Sequence, residues 1–395
     1  MADDGNHHLS FLIISIISLF NMQKQIQFCL ATALMLLLFI SCDKNEKTPL
    51  VIPATYDPST FSANVITQNV IRDQLEAIVT AAKKGRADGV ALDYNALSSL
   101  YNANTPSLKD VSTTYYAGRL DGAGNWLYEM AKASGANYTP GVTAGQGGTF
   151  GGYLFEENGL ELEQLLEKGL FGAALYHHAI TLMQGTITPS TVDQLLCIFG
   201  AHPDFPNTPT AANAANPDKF MANYAARRDK NDGKGLYIQT KFAFIKLQAA
   251  VKAGTEYDQE RDESLTIIRE NWEKINAATI INYCHSVIAT MSATNPTDSD
   301  KAKALHAYGE CVGFAHGWRT LPQAHKKITD AEIDQILVLL NAPYNSQPES
   351  YKFVTEPEKQ LPKLIQIINL LKTKYQFSDS EVADFKKNWV AEQGR

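Results

Sequence analysis

Apolar residues recur at three- and four-residue steps along most of this chain. Ile66, Val70, Ile71, Leu75, Ile78, Val79 and Ala82 form one such run, closed by Gly85, and this spacing predicts an amphipathic helix. Near the C-terminus, Thr329 with Glu332 and Ser378 with Glu381 have the spacing of capping boxes, where each side chain covers the other's orphan amide. The first opens a run of Ile333, Ile336, Leu337 and Leu340, and the second a run of Val382, Phe385 and Trp389. Between them, QLPKLIQIINLLKTKY (360–375) reads as a helix with Pro362 in its first turn, where a missing N–H costs nothing. Two-residue alternation is scarce. The pattern predicts an all-α helical bundle over 62–395, with room for two bundle halves divided near residues 200–230. GVTAGQGGTFGG (141–152) reads as a flexible connection, because it lacks the endings of a phosphate or dinucleotide loop. NTPTAANAANP (207–217) reads as a second loop.

The segment LELEQLLEKGLFGAALYHHAITLM (160–183) carries apolar residues around most of its circumference, the pattern of a helix enclosed by others. At roughly 100° per residue, Glu163, Glu167, Ala174, His177, His178 and Thr181 fall on one stripe. Such a stripe is expensive in an apolar setting unless it is paired or hydrated. Glu167 and His178 lie eleven residues apart in the sequence, or about 16 Å along a helix axis at 1.5 Å per residue. They cannot share one ion at bonds near 2 Å. Gly169 and Gly172 between them point to tight helix packing, with a polar site only at the two ends. A second candidate is DSDKAKALHAYGECVGFAHGWR (298–319). Here Leu305, Tyr308, Val312 and Ala315 form the core stripe and His306, Glu310, Gly313 and Gly317 the adjoining one. The glycines predict close approach of another helix, and His306–Glu310 at i,i+4 reads as a buried hydrogen bond or half of a metal site. His316 points elsewhere on the same helix.

Charge and cysteine content narrow the function classes. The chain has 35 Lys+Arg against 42 Asp+Glu, an unclustered acidic balance that gives no electrostatic footprint for nucleic acid or anionic lipid. Two apolar runs, FLIISIISLF (11–20) and FCLATALMLLLFI (28–40), precede the fold, and each is too short to span a bilayer. The second fits a secretory signal peptide: Met22 and Lys24 supply a short basic start, and ISC at 40–42 ends the run. A small residue followed by cysteine looks like a bacterial lipobox. This divides the chain into a signal over 1–41, with Met22 as an alternative start, a lipidated Cys42 with an extended tether over 42–61, and the helical domain. An uncleaved hydrophobic anchor is the alternative. Cys197, Cys284 and Cys311 remain, an odd number in an oxidising compartment. Three buried free thiols are expected, with at most one disulfide as the alternative.

No HExxH, GxSxG or Ser-x-x-Lys pattern occurs, and His285 cannot act as base to the adjacent Cys284 on a helix. The lipobox, the tether and the stretches ELEQLLEKGLFGAAL (161–175), DQLLCIFGAHPD (193–204) and LHAYGECVGF (305–314) resemble a Bacteroidetes-type lipoprotein family of unknown function related to, or associated with, the imelysin-like proteins. Imelysin-like proteins are helical bundles tied to bacterial iron acquisition, once classed as metallopeptidases, with a Gly-x-His-x-x-Glu motif. On KGLFGAAL that motif would put Gly169 at the glycine but Phe171 and Ala174 at its two polar positions, so neither peptidase chemistry nor the metal site carries over. The resemblance implies an imelysin-like bundle in the cell envelope, as an outer-membrane lipoprotein facing the periplasm or the surface, beside an outer-membrane receptor. The expected role is a binding or accessory protein for uptake of iron, haem or another nutrient. Its groove would lie between bundle halves and use Glu163, Glu167, His306 and Glu310, with His177 and His178 as further candidates. The alternatives are a helix-borne His/Glu metallohydrolase and a structural partner of an envelope complex.

Overall fold

The computed structural model describes residues 47–142, 145 and 147–395, and Leu50–Arg395 form one compact unit. The signal over 1–41 and the lipidation candidate Cys42 lie outside the described residues. The architecture is all-α, with a single two-stranded sheet among the described residues. The longer helices are α1 (Ile66–Lys83), α2 (Leu162–Leu170), α3 (His177–Gln184), α4 (Pro189–Phe199), α5 (Phe220–Arg228), α6 (Leu236–Ala253), α7 (Asp258–Met291), α8 (Asp298–Arg319), α9 (Asp330–Leu339) and α10 (Pro357–Tyr375). No division into two bundle halves occurs near 200–230. The loop over 207–217 is held at its ends by Asp218 N–H to the Thr208 carbonyl and Lys219 N–H to the Gly200 carbonyl.

Both expected capping boxes are present, at Thr329–Glu332 and Ser378–Glu381. Helix α10 begins earlier than the sequence suggested. Pro357 takes the first turn, leaving Pro362 inside the helix, where it forgoes the bond its N–H would make to the Glu358 carbonyl. The expected tether is docked from Tyr56 onward: Tyr56 is buried and its hydroxyl donates to Asp193 Oδ1 at 2.6 Å, while Thr60 and Asn64 donate to Oδ2. No helix among the described residues is long and apolar enough to cross a membrane.

Helices α7 and α8 pack side by side at the centre, with long buried runs, from Asn271 to Ile281 in α7, broken only by half-buried Lys274, and from Ala307 to Trp318 in α8. Their sulfurs meet there. Cys284 Sγ and Cys311 Sγ lie 3.9 Å apart as free thiols, and Cys197 is also free and buried.

Helix α8 lies against α2 with almost no side chain between them. Gly309, Gly313 and Gly317, spaced one turn apart, form the seam. A Cβ on Gly313 would meet the Gln164 carbonyl, and one on Gly317 the carbonyl of Gly169. From the other side, a Cβ on Gly172 would come within 3.0 Å of the Gly317 backbone. The glycines therefore do what their spacing predicted.

The run 160–183 departs from its expected geometry at one place. Phe171–Tyr176 form a π-helical turn between α2 and α3. Longer-range bonding in a π turn leaves a backbone carbonyl free; the Ala173 carbonyl accepts from Thr113 N–H at 2.7 Å. A π turn advances less than 100° per residue, so α3 is rotated out of phase with α2 and the single polar stripe is broken.

The stretch expected to be a flexible connection is partly ordered as a hairpin. Gly148–Phe150 (β1) pairs antiparallel with Tyr153–Phe155 (β2). Gly151 and Gly152, at φ 57° and 85°, supply the two positive-φ positions that a tight two-residue hairpin turn requires.

Candidate functional site

Four of the expected residues, Glu163, Glu167, His306 and Glu310, come together on the α2–α8 seam. There they belong to a closed ring of eight alternating charges. Lys83 of α1 meets Glu167 at 2.9 Å, and Glu167 meets Lys168 at 2.8 Å. Lys168 reaches Glu310 at 3.4 Å, and Glu310 lies 3.8 Å from His306 Nε2. His306 Nδ1 sits 2.6 Å from Glu161, whose other oxygen is 2.8 Å from Arg86. Arg86 also pairs with Glu163, which closes the circuit to Lys83 at 3.8 Å. The glycine seam makes this possible: only backbone-to-backbone approach brings Lys168 of α2 within reach of Glu310 on α8.

Two expectations are corrected. The i,i+4 His306–Glu310 pair is too long for a hydrogen bond, and the imidazole bonds Glu161 instead. His177 and His178 take no part in the ring. The π turn rotates them toward other neighbours, with His177 Nδ1 at 2.9 Å from the Val111 carbonyl and His178 Nε2 facing Gln68 at 3.4 Å. Burial lowers the His178 pKa to about 4, aided by the nearby His177. His316 does point elsewhere, into a buried nest of Tyr115, Tyr116, Trp126 and Tyr344.

The sequence reading missed Lys83, Arg86, Glu161 and Lys168. Glu161 precedes α2 in extended conformation, so helical periodicity cannot assign it to the face of Glu163. Lys83 ends α1 and Arg86 lies in the 3-10 turn after it, both remote in sequence from the other members. The hairpin adds one more group: Tyr153 stacks on the His306 ring at 4.3 Å between centroids, and Arg86 lies over its ring at 5.1 Å.

Four carboxylates alternate with three permanent cations and one imidazole, so neutrality needs one proton. Burial raises the Glu163 pKa well above the ordinary carboxyl value, and the charge of Glu161 raises it further. Burial also opposes ionisation of Glu161 and Glu167, but His306 and Arg86 lower the first, and Lys168 and Lys83 lower the second. A carboxyl whose pKa rises on folding contributes stability at low pH and loses it as pH climbs toward the folded value. Glu163→Gln, which mimics the protonated acid, is therefore expected to gain stability relative to wild type as pH rises above the ordinary carboxyl range. Urea unfolding at several pH values checks this, and a pH-independent difference would contradict it.

Six ring members (Lys83, Arg86, Glu167, Lys168, His306 and Glu310) floor a cleft of about 440 Å³. The lining also includes Phe220, Asn223, Tyr224 and Arg227 of α5 and residues of the loop before it. Phe220 opens α5 with a left-handed backbone, φ 47°, a conformation costing about 1–2 kcal/mol for a residue with a Cβ. Phe171, from the π turn, meets Phe220 edge-on at 5.8 Å, so an apolar flank faces the charged floor. The ring is a poor ligand set for a bare metal ion, since each carboxylate already faces an ammonium or guanidinium group. Among the described residues, no cluster of three His, Cys, Asp or Glu side chains is arranged to hold one.

A family model described as a domain of unknown function (DUF4856) matches residues 199–345, less than half of the chain. That span contains α5 and α8 but not α1 or α2, so the match takes in one wall of the cleft and part of the ring. No curated protein and no solved structure matches the chain.

Proposed function

We propose that this protein is a lipid-anchored envelope binding protein that captures a small ligand in the α1–α2–α5–α8 cleft and so assists nutrient uptake. The observation that carries the binding reading is the cleft itself. It has the volume of a small-molecule site, with both charged groups and aromatic rings in its lining. Support for the anchor is the lipobox ISC at 40–42 after an apolar run. The imelysin resemblance favours iron as the nutrient. Because the ring carboxylates are already neutralised, iron would arrive inside an organic chelate or as haem rather than as a bare ion.

The metallohydrolase alternative is the weaker reading, since its His/Glu centre would have to displace Lys83, Arg86 and Lys168 from the same carboxylates. Calorimetry on the purified protein with ferric citrate, haem and ferric chloride tests the proposal. Heat with either complexed form, and none with the bare ion, is expected. No heat with any of the three would remove the iron assignment, and peptide hydrolysis abolished by His306→Ala would replace binding with catalysis. Labelling with a fatty acid that Cys42→Ser abolishes is expected for the anchor, and labelling that persists would refute it.

A further inference from the structure

We infer that the ligand of this cleft is a small organic anion, held by a carboxylate or phosphate group at Arg227. This rests on the binding reading and names its ligand class. Each ring cation is already shared between carboxylates, and Lys219 at the cleft mouth pairs with Glu76 at 2.8 Å. Arg227 differs. Among the described residues it has no ion-pair partner, and its Nε is shut away from solvent with no hydrogen-bond acceptor. Its guanidinium carbon lies 5.3 Å from the Tyr224 ring, which holds the group beside the cleft. One turn earlier on the same helix, the Asn223 amide also lines the cleft and leaves its buried oxygen without a donor.

A buried donor without an acceptor is costly unless a ligand or water completes it. Asp218, also on the lining, does not supply that acceptor. Its oxygens are taken by Tyr237 O–H at 2.9 Å and Thr208 N–H at 2.8 Å, and burial raises its pKa to about 7. A carboxylate or phosphate matches a planar guanidinium through paired hydrogen bonds. A hydroxyl or amine on the same ligand would donate to Asn223, and a short carbon frame would lie on Phe171, Phe220 and Tyr224. Lys83 and Lys219, each with about 40% of the side chain exposed, stand where they can turn toward a second anionic group.

The test is thermal denaturation and calorimetry of the purified full-length protein with citrate, glucose 6-phosphate, glucose and spermidine. Citrate or glucose 6-phosphate is expected to bind and raise the melting temperature, and which of them does so separates carboxylate from phosphate. Glucose and spermidine are expected to do neither. Arg227→Met is expected to weaken anion binding by about tenfold or more, with Arg227→Lys intermediate. Without ligand either variant should move the melting temperature by only a few degrees, because Arg227 has no ion pair to lose and only its contact with the Tyr224 ring is altered. Anion binding left unchanged by Arg227→Met would overturn the inference. Binding of glucose or spermidine alone, blocked by the cleft-filling Asn223→Trp, would overturn the anionic class and leave the binding reading standing. Failure of every probe to bind would count against both.

Discussion

Gly317→Ala is expected to lower the unfolding free energy by about 3 kcal/mol, the upper part of the range for inserting a methyl group into a packed interior. The reason is what the methyl meets. At Gly317 a Cβ would overlap the carbonyl of Gly169, and backbone cannot rotate aside as a side chain can. Helices α2 and α8 would have to separate, which also draws Lys168 from Glu310 and His306 from Glu161. A matched control exists in Gly118, which is helical and has no atom within 4 Å of the position its Cβ would occupy. Gly118→Ala should stabilise the protein by up to about 1 kcal/mol through helix propensity alone. Chemical denaturation followed by circular dichroism measures both. Equal effects at the two positions would mean that the seam is less close than described.

The glycine seam was legible in the sequence because it depends on one helix at a time: residues four apart share a face wherever the helix is regular. The same rule placed Glu163 with Glu167 and His306 with Glu310, and an equally local signal, Thr or Ser three residues before Glu, marked both C-terminal capping boxes. It failed where regularity failed. The π turn at Phe171–Tyr176 carries no periodic signature, so His177 and His178 were assigned to a face they do not occupy. The Phe-Gly-Gly-Tyr hairpin was present in the sequence as two adjacent glycines between aromatic residues, but its neighbouring glycines made the whole stretch read as flexible. Lys83, Arg86 and Glu161 were illegible for a different reason. Charge pairing across helices depends on tertiary approach, and nothing in the spacing of α1 says which carboxylates its last turn will face. The same limit hid Arg227, which stands out only by the absence of a partner.

Lys168→Met is expected to cost about 3–5 kcal/mol near neutral pH, the usual penalty for removing one partner of a buried ion pair. Lys168 is buried between Glu167 and Glu310, with its ammonium also 5.4 Å from the Tyr224 ring. Methionine fills the same space, so the loss is mainly that of charge. Burial opposes the Lys168 charge, but Glu167 and Glu310 raise its pKa above the ordinary lysine value. Its contribution is thus complete below the unfolded lysine pKa and lost only in strong alkali, while that of Glu167, whose folded pKa is lowered, fades as pH falls below about 4.5. The Lys168–Glu167 pair should therefore hold its contribution from about pH 5 to about pH 10, while that of Glu163, whose folded pKa is raised, is lost as pH climbs above the ordinary carboxyl range. In the variant the stranded carboxylates bind protons more tightly folded than unfolded, so its deficit should shrink as pH falls from about 7.5 to about 5. Adding Glu167→Gln and Glu310→Gln should recover more than half of the loss at neutral pH, because the triple variant buries amides rather than unpaired charge. A deficit that stays constant with pH, or a triple variant no better than the single, would show that Lys168 acts through its packing and not through the ring.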